Sequence, residues 1–174
     1  MGGPAISVIY KNTSSVEIRH RVYRWIRKIG SISDKYEDGY GFYVRNGSVR
    51  DFPELGEHVG CRVTLIFESF KADDVELLTI ESHLGYFPDG QITISAGCNS
   101  TVDSIVIGEI ASHIASTLDG FVLMFDAIAL DEVDRPGVKF HIPTLNVEGS
   151  YNYYTLADHR FLRSLLSQDT FYLV

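Results

Sequence analysis

Cysteine is scarce in this chain of 174 residues, which contains only Cys61 and Cys98. Two cysteines without Cys-x-x-Cys spacing exclude a disulfide framework and a zinc ribbon, and this usage suits a reducing compartment. A chain of this length buries roughly 70% of its unfolded surface, so its folding requires no cross-link. We therefore expect an ordinary globular domain stabilised by an apolar core.

Long apolar runs and targeting signals are also missing. No apolar run approaches the roughly 18 residues that a membrane-spanning helix needs. The first residues lack the basic region followed by an apolar region that marks a secretory signal. The sequence therefore predicts a cytoplasmic protein with no membrane partner.

Positive charge is in short supply after the first third of the chain. Lys and Arg number 15 against 23 Asp and Glu, which gives a net charge of −8. Residues 1–50 contain nine basic and four acidic residues (+5), whereas residues 51–174 contain six and nineteen (−13). An acidic surface repels phosphate backbones and favours basic partners. The charge thus argues against nucleic-acid binding.

Nucleotide and metal motifs are absent from the sequence. Gly39-Tyr-Gly41 is only a fragment of a dinucleotide-binding pattern, because Val44 stands where a third glycine is needed. The six histidines form neither His-x-x-x-His nor His-Glu-x-x-His, and a zinc site normally needs three or four protein ligands. The sequence predicts no cofactor and no metal.

Two features leave an enzymatic interpretation open. Cys98 precedes a predicted helix whose N-terminus would stabilise a thiolate, although a free cysteine is more often a small buried residue. Glu109 and His113 are four residues apart on that helix and could exchange a proton, although a surface hydrogen bond is the commoner use of this spacing. Because Cys98 and His113 are separated by roughly 20 Å of helix, we predict no catalytic residue.

The pattern of apolar and turn residues predicts alternating helices and strands. Helices are predicted after Ser14, Asp73 and Ser100 and around residues 161–166. Strands are predicted at residues 5–10, 61–67, 91–95, 121–125 and 171–174, and a hairpin turn at Asn46-Gly47. This mixture predicts an α+β fold over residues 1–174: a single-domain sandwich of a mixed sheet with about four helices.

The first predicted helix has an unusually basic outer face. That face carries the cations Arg19, Arg21, Arg24, Arg27 and Lys28, and Tyr23 and Trp25 lie among them along the sequence. A nucleic-acid stripe has this composition. The apolar face of the helix is well formed, however, so we interpret it as a surface helix packed on the sheet, with its charges solvated or paired with acids of the same molecule.

Residues 126–155 form a polar connection of loop or short-strand character in which acids and tyrosines cluster. Acids steer association with a basic partner, while tyrosine rings supply contact area at low entropic cost. Long connections are often functional, although they are also where disorder concentrates. The predicted partner-binding residues are Asp126, Asp131, Glu132, Asp134, Glu148, Tyr151, Tyr153 and Tyr154.

Several blocks in the second half of the chain form a recognisable pattern: Gly85-Tyr-Phe-Pro88, Ile92-Thr-Ile-Ser-Ala-Gly-Cys-Asn99, Val102-Asp103, Ile107-Gly-Glu-Ile-Ala111, Leu118-Asp-Gly-Phe121 and Ala157-Asp-His-Arg-Phe-Leu-Arg163. Together these blocks resemble immunity proteins of bacterial polymorphic toxin systems. The resemblance implies a protein that binds and neutralises one cognate toxin domain. Such families often continue into Asp-Phe-Gly-Gly, whereas Phe125-Asp126 is followed here by Ala127-Ile128, and the N-terminal third matches no pattern of the family.

These observations lead to a non-enzymatic immunity protein as the first hypothesis. The expected partner is a basic cognate toxin domain whose active site the protein covers. Two alternatives remain: a small enzyme that uses Cys98 or the Glu109/His113 pair, and a regulatory domain that binds a small molecule. A deep apolar pocket without catalytic groups would favour the regulatory domain.

Overall fold

The architecture was analysed in a computed structural model that describes residues 3–11, 15–45, 47–50, 61–98, 100–124, 135–145, 150–168, 171 and 173. Four helices occur in these residues: α1 (Ser15–Ile29), α2 (Asp74–Leu84), α3 (Thr101–Leu118) and α4 (His159–Leu166). The strands are β1 (Ala5–Tyr10), β2 (Gly30–Lys35), β3 (Gly39–Val44), β4 (Cys61–Ser69), β5 (Gly90–Ala96), β6 (Phe121–Met124), β7 (Lys139–Leu145) and β8 (Tyr151–Ala157).

All eight strands belong to one sheet in the order β2-β3-β4-β5-β1-β6-β8-β7. The predicted α+β fold with four helices is confirmed. Every described strand pair is antiparallel, so the sheet is not mixed as predicted. The reason is that α3 returns the chain from β5 to β6 on the far side of β1, so that both strands run opposite to β1.

The two faces of the sheet are covered unequally. Alternate residues of a strand point to opposite faces, and Ile6 and Val8 of β1 lie in the main core while Ile9 lies in a second, smaller one. Helices α1, α3 and α4 cover the main core. Helix α2 closes the smaller core with Ile80 over β1, β6, β7 and β8.

Local capping signals define the ends of α2 and α3. The hydroxyl of Ser100 accepts a hydrogen bond from the Asp103 N–H, and the Asp103 carboxylate accepts one from the Ser100 N–H, at 3.1 Å each. Gly85 ends α2 with a φ of 72°, a left-handed conformation that glycine adopts without strain. Both helices therefore lie where the sequence predicts them.

The structure refines three predictions about local structure. Residues 36–38 join β2 to β3 in a hairpin that the sequence did not indicate. The turn predicted at Asn46-Gly47 lies in the longer connection from β3 to β4, where the Ser48 N–H donates to the Arg45 carbonyl at 3.1 Å and Gly47 has a φ of 76°. The connection 126–155 contains the whole of β7 and the first part of β8. Phe171 and Leu173, which were predicted to lie in a last strand, are outside any strand and are buried in the main core.

Candidate functional site

The tyrosines predicted to bind a partner lie on β8, beside the edge strand β7. Tyr153 is opposite Pro143 of β7, and 51% of its surface is exposed. Tyr154 points to the other face, where it packs against the smaller core, and its hydroxyl lies 3.4 Å from the Thr144 hydroxyl. Tyr151 pairs with Leu145 through the backbone. Of the two rings whose exposure the structure describes, Tyr153 and Tyr154, Tyr153 therefore presents more contact area to a partner.

The five acids of the predicted site lie outside the described residues, namely Asp126, Asp131, Glu132, Asp134 and Glu148. The described residues that precede the two acid-bearing stretches, Met124 and Leu145, lie towards the end of the sheet where β8 begins. Met124 is opposite Thr155, and Leu145 is opposite Tyr151. The chain therefore leaves β6 and β7 at the end of the sheet at which it enters β8. Arg135, which follows Asp134, leads into β7 at the opposite end, where Lys139 is opposite Ala157.

The two cysteines differ sharply in their surroundings. Cys61 is buried, and its thiol donates a hydrogen bond to the Asp103 carboxylate with a sulfur–oxygen distance of 2.8 Å. Burial and this carboxylate raise the pKa of the Cys61 thiol far above its ordinary value. Cys98 lies two residues beyond β5, in the connection to α3, and its side chain is exposed. The expectation that Cys98 is a small buried residue is therefore wrong.

Glu109 and His113 lie on the same side of α3 and face different partners. Burial raises the pKa of Glu109, against the opposing charges of Arg50 and Arg163. His113 stacks on Trp25 of α1, with ring centroids 4.1 Å apart and planes 11° apart. Burial and the nearby Arg163 lower the pKa of His113. The aromatic partner of His113 is thus Trp25, and no hydrogen bond or ion pair joins His113 to Glu109 among the described contacts.

A groove between α1 and α3 is the site that our reading of the sequence missed. Its volume is about 460 Å³, and the described residues that line it are Arg21, Val22, Arg24, Trp25, Lys28, His113, Ile114, Thr117 and Leu118. The spacing i, i+3, i+7 of Arg21, Arg24 and Lys28 places the three cations on one side of α1. This spacing, with Trp25 in the same stripe, reveals one wall of the groove in the sequence, whereas the wall formed by α3 depends on the tertiary fold.

The described residues contain no group of three or more potential metal ligands. None of the helices in the described part of the chain combines the length and the apolar character required to cross a membrane.

The chain belongs to a family described as a family of unknown function (DUF6368), which it matches over residues 2–174. No curated protein and no solved structure gives a significant match to the chain.

Proposed function

We propose that this protein is an immunity protein that binds one cognate toxin domain in the cytoplasm of the producing cell and covers its active site. The observation that carries the proposal is the half-exposed ring of Tyr153 on β8, beside the ends of β6 and β7 from which the chain continues into the acid-bearing residues 125–134 and 146–149. The resemblance of the second half of the chain to immunity proteins supports the same class. The protein acts by binding and not by catalysis.

The edge of the sheet favours docking through side chains. β7 is the last strand of the sheet, and an exposed edge can pair with a strand of another protein. Pro143 of β7 has no N–H to donate and is typical of edges that resist such pairing. We therefore place the partner over the rings and acids and not along the backbone of β7.

The proposed contact combines an aromatic anchor with charge. A tyrosine ring loses little conformational entropy on binding and often dominates interface energies. Residues 126, 131, 132, 134 and 148 add five carboxylates in the neighbouring sequence, which attract a basic active-site cleft such as one that binds phosphate. In this proposal Tyr153 contributes most of the affinity, and the acids raise the association rate and the selectivity for a basic partner.

Replacing Tyr153 tests this surface. We expect Tyr153→Ala to weaken binding to the toxin domain encoded beside this protein by at least about tenfold, as removal of an interface anchor does. The matched control is Tyr43→Ala, because Tyr43 of β3 is 45% exposed in the other half of the sheet. Isothermal titration of both variants gives the comparison. Equal losses would refute the position of the surface, and a toxin that binds no form of the protein would refute the function.

A further inference from the structure

The groove between α1 and α3 combines an apolar floor with a positive rim. Val22 and Ile114 are buried beneath it, while Arg21, Arg24 and Lys28 are exposed along its edge. No acidic side chain occurs among the described lining residues. The volume of about 460 Å³ falls within the range typical of sites for small molecules.

Two of the rim cations are not paired with any carboxylate of the residues that the structure describes. Arg21 is paired with Glu17 of the same helix at 2.8 Å. Arg24 and Lys28 form no ion pair within the described part of the chain. They are four residues apart on one side of α1, where like charges repel by a few tenths of a kcal/mol (~0.2–0.5). An anion between them would relieve this repulsion.

The wall of the groove is suited to a flat group. Trp25 and His113 stack face to face across the two helices, and both side chains remain partly exposed. Burial and Arg163 lower the pKa of His113, which favours a neutral imidazole beside the cations. Flat aromatic rings bind well against such a stack, and a cation beside an aromatic face adds to the attraction.

We propose that this groove binds a small aromatic anion, with the flat body against Trp25 and the apolar floor and the negative group between Arg24 and Lys28. The site is separate from the tyrosine-bearing end of the sheet and does not depend on the proposed function. An acidic protein of net charge −8 that retains an unneutralised cationic groove presents a local attraction for such ligands.

The only tryptophan of the chain, Trp25, reports directly on occupancy. We expect naphthalene-1-sulfonate and adenosine monophosphate to shift its indole N–H signal saturably in a proton–nitrogen NMR correlation spectrum. The neutral counterparts naphthalene-1-sulfonamide and adenosine, and inorganic phosphate alone, should bind at least about tenfold more weakly, which corresponds to ~1.4 kcal/mol.

A charge-matched pair of variants locates the site. The double variant Arg24→Gln/Lys28→Gln should raise the dissociation constant of the bound anion at least about tenfold. The control Arg27→Gln/Lys35→Gln removes the same total charge from exposed residues outside the groove and should leave the constant within about twofold, because screening weakens distant charges. Equal losses in the two variants, or aromatic anions that bind no better than their neutral counterparts, would overturn the proposal.

Discussion

Glu76 is a carboxylic acid held in a low-dielectric position at the start of α2. Only 7% of the residue is exposed. Burial, together with the neighbouring charge of Asp73, raises its pKa to about 7. Between pH ~4.3 and pH ~7, Glu76 is therefore still protonated in the folded state, whereas it has lost its proton in the unfolded state. Glu76 thus makes the stability of the fold depend on pH.

The sign of this dependence gives a prediction for Glu76→Gln. Wild-type stability should fall as the pH rises from ~4.3 to ~7 and level off above, by on the order of 3 kcal/mol, because one pKa unit corresponds to ~1.4 kcal/mol. The variant should lose this decline. Urea unfolding at several pH values measures it, and Glu81→Gln on the same helix retains Glu76 and should keep the wild-type slope. A variant with an unchanged slope would contradict the role of Glu76.

The cysteines give a second test at the scale of residues. The thiolate is the form that reacts with alkylating agents, and Cys61 is buried with a raised thiol pKa while Cys98 is exposed. Iodoacetamide should therefore modify the folded protein at Cys98 and reach Cys61 only after unfolding. Peptide mass spectrometry distinguishes the sites. Equal modification rates in the folded protein would show that strand β4 does not protect Cys61.

Helix α4 is short and depends on its N-terminal cap, Asp158. It has eight residues, and isolated helices of that length are unstable in water. The Asp158 carboxylate accepts a hydrogen bond from the Phe161 N–H at 2.8 Å and pairs with Arg160 at 2.9 Å. The helix in turn supplies Phe161, Leu162, Leu165 and Leu166 to the main core. The cap therefore anchors a part of the core.

Two substitutions separate the cap from its charge. Asp158→Ala should lower the free energy of unfolding by about 1–2 kcal/mol, because it removes the acceptor at the helix N-terminus. Asp158→Asn should cost less than about 1 kcal/mol, since asparagine also caps well and the Arg160 side chain is largely exposed. Thermal or urea denaturation provides both values. Equal losses would mean that the ion pair, and not the cap, holds α4.

Elements with a local cause could be predicted from the sequence, and those with a distant cause could not. The Ser100–Asp103 capping box and the Gly85 stop act within one turn and were found correctly. For the region of β7 the sequence indicates only loop or short-strand character, because the strand is defined by its pairing with β8. Its edge position, which the sequence does not reveal, makes Pro143 acceptable within it. Likewise, the groove requires α1 and α3 to be adjacent, which is a property of the tertiary fold.

At the scale of the whole molecule, the uneven charge of the sequence underlies both proposals. The cations of helix α1 border the groove, whereas the five acids of the predicted partner-binding site follow β6 and β7 in the sequence. The two proposals together assign an anion-binding groove and a cation-attracting surface to one chain. We therefore expect the groove to attract anions and the proposed partner-binding surface to attract cations.

The association rate with the cognate toxin domain, measured as a function of salt, tests the central proposal most directly. Acidic steering of a basic partner is screened as the Debye length falls from ~10 Å at 0.1 M salt to ~3 Å at 1 M. We expect tight binding whose association rate constant falls at least about tenfold over this range, while the dissociation rate changes much less. The absence of a complex, or an association rate that is indifferent to salt, would contradict the account.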